Sequence, residues 1–356
     1  MINQNAILSL NALLEEGIRH QIFESAEASW IVCPPHGTIS SAVNVGITTG
    51  RLFDIASLTK LFTASVILRL VAQNALKLDD TLDRYISPQA AFPLGKASIE
   101  QVLRHQAGFA PWYPFFEAIP PTERGTPKAR KTVIDRIISH PPNAAPGEKT
   151  LYSDLGYILL AYLIECVVHK PFPDIVSQEV LVPLNLNEMF LNTTDFTDQD
   201  PKQDIAPTEY CPWRGRRLQG EVHDDNAWTM GGIGGHAGLF ATADGIAQFG
   251  AAWLMALQED SHWLPRTIAR EAVHPHPSHR GLGWDFKSPG KSSAGQLYSK
   301  DAFGHLGFTG CSIWVDPERR LSTALLTNRV YFGRENDRIR QFRPKFHDQL
   351  IRNLGM

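Results

Sequence analysis

Two stretches of the chain carry a serine and a lysine three residues apart, a spacing that suits nucleophilic catalysis. Ser57 and Lys60 open a long apolar run, whereas segment 288–291 reads Ser-Pro-Gly-Lys. On a helix, residues i and i+3 are neighbours, so the first pair brings a hydroxyl beside an amine. Proline and glycine break helices, so the side chains of the second segment have no reason to share a face. We therefore expect Ser57 and Lys60 to be the reactive pair.

The chemistry that this pair could perform is attack on an acyl group. A serine hydroxyl becomes an effective nucleophile when a base takes its proton, and lysine serves as that base when its surroundings lower its pKa. The partial positive charge at a helix start favours the oxyanion formed on attack. The alternative is that Ser57 is an ordinary polar residue of a first turn and that Lys60 extends to solvent. The motif alone leaves both interpretations open.

Two further segments favour the catalytic interpretation. Segment 147–157, Gly-Glu-Lys-Thr-Leu-Tyr-Ser-Asp-Leu-Gly-Tyr, places Tyr152 and Asp154 at the start of a predicted helix. Segment 303–317 is punctuated by glycines and is predicted to be a strand that a substrate backbone can approach closely.

Taken together and in this order, these segments resemble the serine β-lactamase and penicillin-binding-protein superfamily, most closely its class C-like branch of β-lactamases, esterases and D-amino-acid peptidases. The likeness also covers 53–64, 220–224, 235–240 and 326–330, so it spans nearly the whole chain. In this family the serine of S-x-x-K is acylated. A Tyr-x-Asn tyrosine shares base duty with the lysine, and a Lys-Thr-Gly or His-x-Gly element lines the opposite wall.

The resemblance assigns roles to matching positions of this chain. It implies three catalytic residues, Ser57, Lys60 and Tyr152, and four substrate-binding residues, Asp154, His305, Gly307 and Phe308. It also implies an oxyanion hole made by the backbone N–H groups of Ser57 and Phe308.

Two positions depart from the family pattern. Asp154 stands where many relatives have asparagine, and a carboxylate accepts hydrogen bonds but cannot donate as an amide does. If Asp154 pairs with Lys60, it holds the lysine charged and moves base duty toward Tyr152. His305 replaces a permanently charged lysine, so we expect weak recognition of a substrate carboxylate at neutral pH and stronger recognition where histidine is protonated. Leu306 stands where the family pattern has a threonine, so the hydroxyl of that threonine is missing here. An esterase or peptidase-like hydrolase is therefore favoured over an efficient β-lactamase.

The elements that must position these residues follow from apolar periodicity and breakers. We predict helices at 5–20, 57–73 with Asp54 as N-cap, 98–106, 129–139, 153–168, 172–180, 243–258 and 334–353. Strands are predicted on both sides of Pro34–Gly37 within 27–47, and at 281–287, 310–315 and 321–327. These elements indicate an α/β fold of the α+β type, in which an antiparallel sheet built from both termini is flanked by helices. Residues 1–74 and 225–356 would form this lobe, and 75–224 an inserted, mainly helical lobe.

Composition excludes some classes of function. The 356 residues are 43% hydrophobic and 20% charged, with a net charge of −3, which gives no electrostatic reason to expect a nucleic-acid partner. Nothing approaches a membrane span. The N-terminus lacks the pattern of a signal peptide, which favours a cytoplasmic location, or a periplasmic one if the start has been trimmed. The four cysteines are too far apart for a C-x-x-C pair.

Other features are ambiguous or structural. Segment 232–237 imitates a dinucleotide fingerprint without a preceding strand, and His236 begins a second His-x-Gly that could contact substrate or be structural. His223 and Asp224 lack a third metal ligand, so buried hydrogen bonding is favoured for them. The aromatic run 112–116 could line an apolar pocket or pack in the core. Six arginines are predicted to be solvated: Arg214, Arg216, Arg217, Arg338, Arg340 and Arg343.

The resulting prediction is a serine hydrolase that needs no metal and no organic cofactor. Ser57 attacks an ester or amide carbonyl of a small-molecule or peptide substrate, and water then cleaves the acyl-enzyme. The alternative is a catalytically weak or silent module that binds peptidoglycan fragments or a protein partner. The sequence leaves the acyl donor, the turnover of β-lactams and the oligomeric state open.

Overall fold

The computed structural model describes most of the chain. The described residues are 4–33, 43–46, 50–86, 91–186, 188–191, 204–232, 234–259 and 261–356. The predicted turn at Pro34–Gly37 lies outside them.

Helices account for much of the described part of the chain. They are α1 Gln4–Arg19, α2 Thr59–Ala72, α3 Ile99–Leu103, α4 Pro127–Ile138, α5 Asp154–Val168, α6 Phe172–Val176, α7 Asp225–Thr229, α8 Ala243–Gln258, α9 Arg266–Ala272 and α10 Ile339–Leu354. Short 3-10 turns cover Ala56–Leu58, Leu82–Arg84, Phe115–Ala118 and Arg329–Phe332, and a π turn, Ser177–Leu181, continues α6. The eight predicted helices all exist, although α3 is shorter than predicted, and the short helices α7 and α9 were not predicted.

The strands form one large antiparallel sheet and two small ones. They are β1 Ala26–Val32, β2 Val43–Gly46, β3 Phe53–Asp54, β4 Phe190–Leu191, β5 Tyr210–Cys211, β6 Arg216–Arg217, β7 Leu239–Ala241, β8 Asp285–Phe286, β9 Phe303–Leu306, β10 Ser312–Asp316 and β11 Leu321–Thr327. The large sheet has the order β2-β1-β11-β10-β9-β8, so strands from both ends of the chain meet at the β1–β11 pair. The predicted fold class is confirmed. The lobe boundaries at residues 74 and 225 stay a prediction.

Strand β1 of the large sheet is buried on both faces. One face of β1 places Ala28 and Trp30 in a cluster with residues of α1 and α10, while the neighbouring Ile31 faces the main core. Helix α8 packs across β1 and β11 on the main-core side. Successive side chains of a strand point to opposite faces, so such a strand reads as apolar without strict alternation.

Three local predictions are wrong in detail. Segment 303–317 is a hairpin, not one strand, because Gly307 and Gly310 allow a tight turn between β9 and β10. The segment 281–287 contributes only the short β8. Asp54 is not a helix N-cap, because Ile55 precedes the 3-10 turn and Leu58 precedes α2, and neither position has a side-chain cap.

Among the described residues, no single helix is long and apolar enough to cross a membrane. One pair of helices bent by 82°, α5 with Phe172–Leu181, passes the test by length and composition alone.

Candidate active site

The predicted nucleophile lies on a tight turn that the Asp54 carboxylate holds in place. Asp54 Oδ1 accepts a hydrogen bond from the N–H of Ala56 at 2.8 Å, and Oδ2 accepts one from the N–H of His223 at 2.7 Å. Ala56 has a φ of +47°, in the left-handed region that a residue with a Cβ seldom adopts. Such conformations persist only where the surrounding structure enforces them. The turn therefore fixes Ser57 at the start of α2.

Lys60 is fully buried beneath Ser57 and is surrounded by oxygen atoms. Its Nζ donates to Ser57 Oγ at 3.0 Å and to the carbonyl of His236 at 3.1 Å, and it lies 2.7 Å from Asp154 Oδ1. Burial, the largest single effect, would lower the pKa of Lys60, but the charge of Asp154, the interaction with Tyr152 and the hydrogen bonds to both groups together raise the pKa above its ordinary value. Lys60 is thus a cation at neutral pH, as expected for a pair with Asp154.

Tyr152 completes the group around the serine. Its hydroxyl interacts with Ser57 and Lys60, and Lys60 Nζ lies 4.9 Å from the centre of its ring. Burial raises the pKa of Tyr152, because a phenolate is costly in a poorly solvated site, and the Lys60 cation only partly opposes this. In the resting site Tyr152 is therefore a neutral phenol.

His105 holds the segment that carries Tyr152, a role that no local pattern around His105 predicts. Its Nδ1 accepts a hydrogen bond from the N–H of Ser153 at 3.0 Å, and its carbonyl accepts one from the N–H of Leu151 at 2.8 Å. Its ring centre lies 4.4 Å from that of Tyr152. With a φ of +58°, His105 is itself in the left-handed region. The two hydrogen bonds therefore hold the residues before and after Tyr152, and the His105 ring packs beside the Tyr152 ring.

The β9–β10 hairpin forms the opposite wall and carries His305. This side chain is 2% exposed, its Nδ1 lies 2.9 Å from the carbonyl of Leu306, and its Nε2 has no hydrogen-bond partner among the described residues. Burial lowers the pKa of His305 to about 4, despite the opposing charge of Asp285. Burial therefore favours a neutral His305 ring and moves its protonation to lower pH than the ordinary value for histidine.

The hairpin turn approaches the nucleophile turn very closely. A Cβ placed on Gly307 would lie 2.5 Å from the carbonyl oxygen of Ile55, so only glycine fits there. Thr309 Oγ1 donates to the carbonyl of Asp54 at 2.7 Å. The backbone N–H of Phe308 donates to no acceptor in the described chain. Phe308 and Ser57 line the same cleft, so this donor is available to an occupant of the cleft, as an oxyanion hole requires.

Phe308 itself is held from both sides. Its ring is 48% exposed, and it lies between the ring of His223, 5.7 Å away, and the guanidinium of Arg329, 4.5 Å away. Arg329 Nε also donates to the carbonyl of Phe308 at 2.7 Å. The conformation of the predicted oxyanion-hole residue is therefore fixed by a buried arginine that the sequence did not single out.

A cleft of about 970 Å³ opens above these residues. Ser57, Tyr152, His305, Gly307 and Phe308 line it, whereas Lys60 and Asp154 lie below its floor. The outer walls come from segment 291–296, which begins at the last residue of the discarded Ser-Pro-Gly-Lys segment, and from the region 329–344. All seven predicted site residues thus lie in or under the cleft, and Lys60 contacts Ser57, Asp154 and Tyr152 directly.

The other histidine candidates are structural. His223 Nε2 lies 3.2 Å from Glu209 Oε1, and His236 Nε2 lies 2.9 Å from Asp224 Oδ1. The interpretation of buried hydrogen bonding therefore agrees with the geometry. His236 reaches the site only through its carbonyl.

Two of the arginine predictions are wrong. The Arg214 side chain is fully buried, and its Nη2 lies 3.0 Å from Asp225 Oδ1. Arg343 is also buried and donates to the carbonyl of Gly310 at 2.8 Å. Both bind groups distant in sequence, which local patterns cannot reveal. The other four predicted surface arginines are exposed.

The aromatic run 112–116 is partly packed in the core and partly exposed. Phe115 is in the core, whereas Trp112 and Tyr113 are exposed. Asn226 anchors the run, because its side chain accepts from the N–H of Phe116 at 3.2 Å and donates to the carbonyl of Tyr113 at 2.8 Å.

Known proteins resemble this chain over most of its length. The family model described as Beta-lactamase matches residues 29–344. A Salmonella enteritidis protein named "Putative D-alanyl-D-alanine carboxypeptidase" is 29% identical over 336 residues, covering 85% of this chain and 75% of the relative.

Solved structures of hydrolases share the fold. The hydrolase EstCE1 superposes with a TM-score of 0.69 at 19% identity, covering 96% of this chain and 99% of that one. A D-stereospecific amidohydrolase from Streptomyces superposes with a TM-score of 0.66 at 20% identity, covering 89% and 94%. Because the family model spans most of the sequence, this chain belongs to the Beta-lactamase family and is a serine hydrolase.

Proposed function

We propose that Ser57 is the nucleophile of this hydrolase and forms an acyl-enzyme with an ester or amide substrate. The observation that carries the proposal is the 3.0 Å contact between Ser57 Oγ and Lys60 Nζ at the floor of a large cleft. Serine is activated when it lies within hydrogen-bond reach of a base and a third group holds that base in place. Ser57, Lys60 and Asp154 have this arrangement.

The proton route involves Lys60 and Tyr152 together. In the resting site Lys60 is a cation and Tyr152 a phenol, so neither can accept a proton. The reactive form has lost one proton from this pair. As Ser57 Oγ bonds to the carbonyl carbon, the serine proton passes to the pair, and the free N–H groups of Ser57 and Phe308 stabilise the oxyanion.

Collapse of the tetrahedral intermediate breaks the bond to the leaving group, which takes the proton from the Lys60–Tyr152 pair. Water then attacks the acyl carbon and gives a proton to the same pair, and Ser57 recovers its proton as the acid product departs. These steps draw only on the named side chains, backbone donors and water. They assign Asp154 a positioning role, because it sets the charge of Lys60.

The substrate is proposed from the relatives as well as from the site. Their names point to D-amino-acid peptides, amides and esters. Small molecules or short peptides of this kind fit a cleft of about 970 Å³. The cytoplasmic location stays a prediction.

A silent binding module is the second candidate, and the cationic state of Lys60 is the observation that favours it. Labelling with a fluorophosphonate probe separates the two. An active hydrolase gives a covalent adduct that peptide mapping locates on Ser57 and that the Ser57→Ala variant does not form. An unlabelled wild-type protein would support the binding module.

A further inference from the structure

A second cation lies beside the ring of Tyr152. The guanidinium carbon of Arg280 is 5.2 Å from the centre of that ring, and Lys60 Nζ is 4.9 Å from it. We propose that Arg280 is a positioning residue whose positive charge makes the Lys60–Tyr152 pair release its proton at lower pH. Asp154 acts on the same pair in the opposite direction. This inference rests on the proposed function and adds to it a residue that sets how readily Ser57 becomes reactive.

The backbone around Arg280 is anchored on the helices that surround the site. Its carbonyl accepts a hydrogen bond from Arg104 Nη1 at 2.7 Å, and its backbone forms an antiparallel bridge with Asp285 across a tight turn. A Cβ on Gly283, within this turn, would lie 2.6 Å from the Cβ of Ala64. The turn therefore packs directly on α2, whose first turn carries the buried lysine.

Asp285 holds the side chain of Arg280 in place. The carboxylate forms an ion pair with the guanidinium, and the two side chains are only 29% and 25% exposed. A guanidinium within about 6 Å of a ring centre is attracted to the face of that ring. Since the group is mostly shielded from water, its charge acts on Tyr152 with limited screening by solvent, although Asp285 offsets part of it.

Other titratable groups also face the pair or Arg280. Burial lowers the pKa of His105, with the charge of Arg280 as the next cause, and burial lowers that of His305 to about 4, so both rings are uncharged at neutral pH. Arg104 is neutralised by Glu100. The groups concerned are Glu100, Arg104 and His105 in or after α3, Asp154 and Tyr157 on α5, Asp285 on β8 and His305 on β9.

The direction of the effect is the same whichever member of the pair loses the proton. A nearby positive charge raises the free energy of the Lys60 ammonium and lowers that of the Tyr152 phenolate, and both changes favour the deprotonated pair. The charge of Arg280, rather than its planar shape, is therefore the property that matters. Lysine keeps the charge and lacks the planar group, so Arg280→Lys separates the two.

The test is the rate at which a neutral alkyl fluorophosphonate labels Ser57 as a function of pH, which requires no knowledge of the substrate. We expect Arg280→Gln to move the ascending limb of this profile to higher pH by about 0.5 to 1 unit. Arg280→Lys should stay close to the wild-type limb. Asp285→Asn removes the partner anion and should move the limb to lower pH. Arg136→Gln, an exposed arginine on α4, is the control, and thermal melting checks the folding of each variant.

Several outcomes would overturn the inference. They are an Arg280→Gln limb that superimposes on wild type or moves to lower pH, an equal shift in Arg280→Lys, and a fall in rate at every pH without displacement of the limb, which is the result of a merely structural role. If Arg280→Gln does not fold, Asp285→Asn decides, and a limb at unchanged or higher pH contradicts the inference. Absence of labelling in wild type, or labelling that persists in Ser57→Ala, would instead refute the proposed function, so the two failures are distinguishable.

Discussion

The Asp154 carboxylate lies 2.7 Å from the Lys60 ammonium, with Ser57 Oγ on the other side of the same nitrogen. Lys60, which could activate the serine, is therefore held in its charged form by Asp154, a residue only two positions from Tyr152. This relationship makes the activity of the enzyme depend on the removal of one proton from the Lys60–Tyr152 pair.

Activity should rise toward alkaline pH, and Asp154→Asn should move that rise to lower pH. Asp154 raises the pKa of Lys60, so the active, deprotonated form accumulates only as pH increases through the raised value. Loss of the carboxylate lowers that pKa, and we expect the ascending limb of kcat/KM to shift down by about 1 to 3 pH units. Profiles with a neutral ester measure this shift. Asp135→Asn, an exposed acid on α4, is the control. Superimposable profiles for wild type and Asp154→Asn would refute the role given to the carboxylate.

His105 is predicted to act as a positioning residue for Tyr152. His105→Ala removes both the acceptor for the Ser153 N–H and the ring beside Tyr152. We expect kcat to fall by about 10- to 100-fold with little change in KM, because a small misplacement of a catalytic group is costly.

His105→Asn is the matched variant, because asparagine keeps an acceptor near the position of Nδ1 and tolerates a positive φ. It should recover part of the lost kcat. Thermal melting of both variants checks folding. If kcat is unchanged in His105→Ala, or if Asn and Ala lose equally, the contact has no positioning role.

Gly307→Ala should disrupt the site through backbone displacement. The added methyl group would lie 2.5 Å from the Ile55 carbonyl, so the hairpin must move away from the nucleophile turn. We expect kcat/KM to fall by about 100-fold or more, since an oxyanion donor moves with the hairpin. Gly215→Ala is the control. An alanine at its φ of +69° costs about 1 kcal/mol of backbone strain, but the added Cβ would meet no atom within 4 Å. Full activity in Gly307→Ala would contradict the close approach.

Glu209 is expected to contribute to the free energy of unfolding in a way that is lost in acid. Burial would raise the pKa of Glu209, but His223 and Arg334 reverse this and lower it to about 2, from an ordinary value of 4.5. The stabilisation is therefore complete above pH 4.5 and is lost as pH falls toward 2. Urea unfolding of wild type should show a loss on the order of 2 kcal/mol over this range that Glu209→Gln lacks. The exposed Glu318→Gln serves as the control, and equal acid dependence in all three proteins would argue against the buried pair.

Short-range patterns were sufficient to select the side chains that the structure brings together at the cleft, but not their supports. Ser57 and Lys60 are three residues apart at the start of one apolar segment, and Tyr152 precedes a helix with a clear start, so these residues could be selected locally. His105 binds Ser153 across 48 positions, and Arg329 binds Phe308 across 21. Such contacts depend on how the elements pack, which neither periodicity nor spacing encodes.

The limits of local patterns also explain the errors in the predicted fold and in the predicted charge of His305. The short α7 and α9 give too few residues for a periodic signal, and the hairpin turn at Gly307 looks like a glycine-rich strand in sequence. The neutrality of His305 depends on burial under the hairpin and on the Arg280–Asp285 pair, which comes from another part of the chain.

The central claim, an acyl-enzyme on Ser57, is tested most directly by acid quenching during turnover of a p-nitrophenyl ester, followed by peptide mapping in the mass spectrometer. The account predicts a burst of p-nitrophenol close to one equivalent per enzyme, an acyl group on the peptide that contains Ser57, and the loss of both in Ser57→Ala. Turnover without an acyl group on that peptide, or a burst that persists in Ser57→Ala, would contradict it.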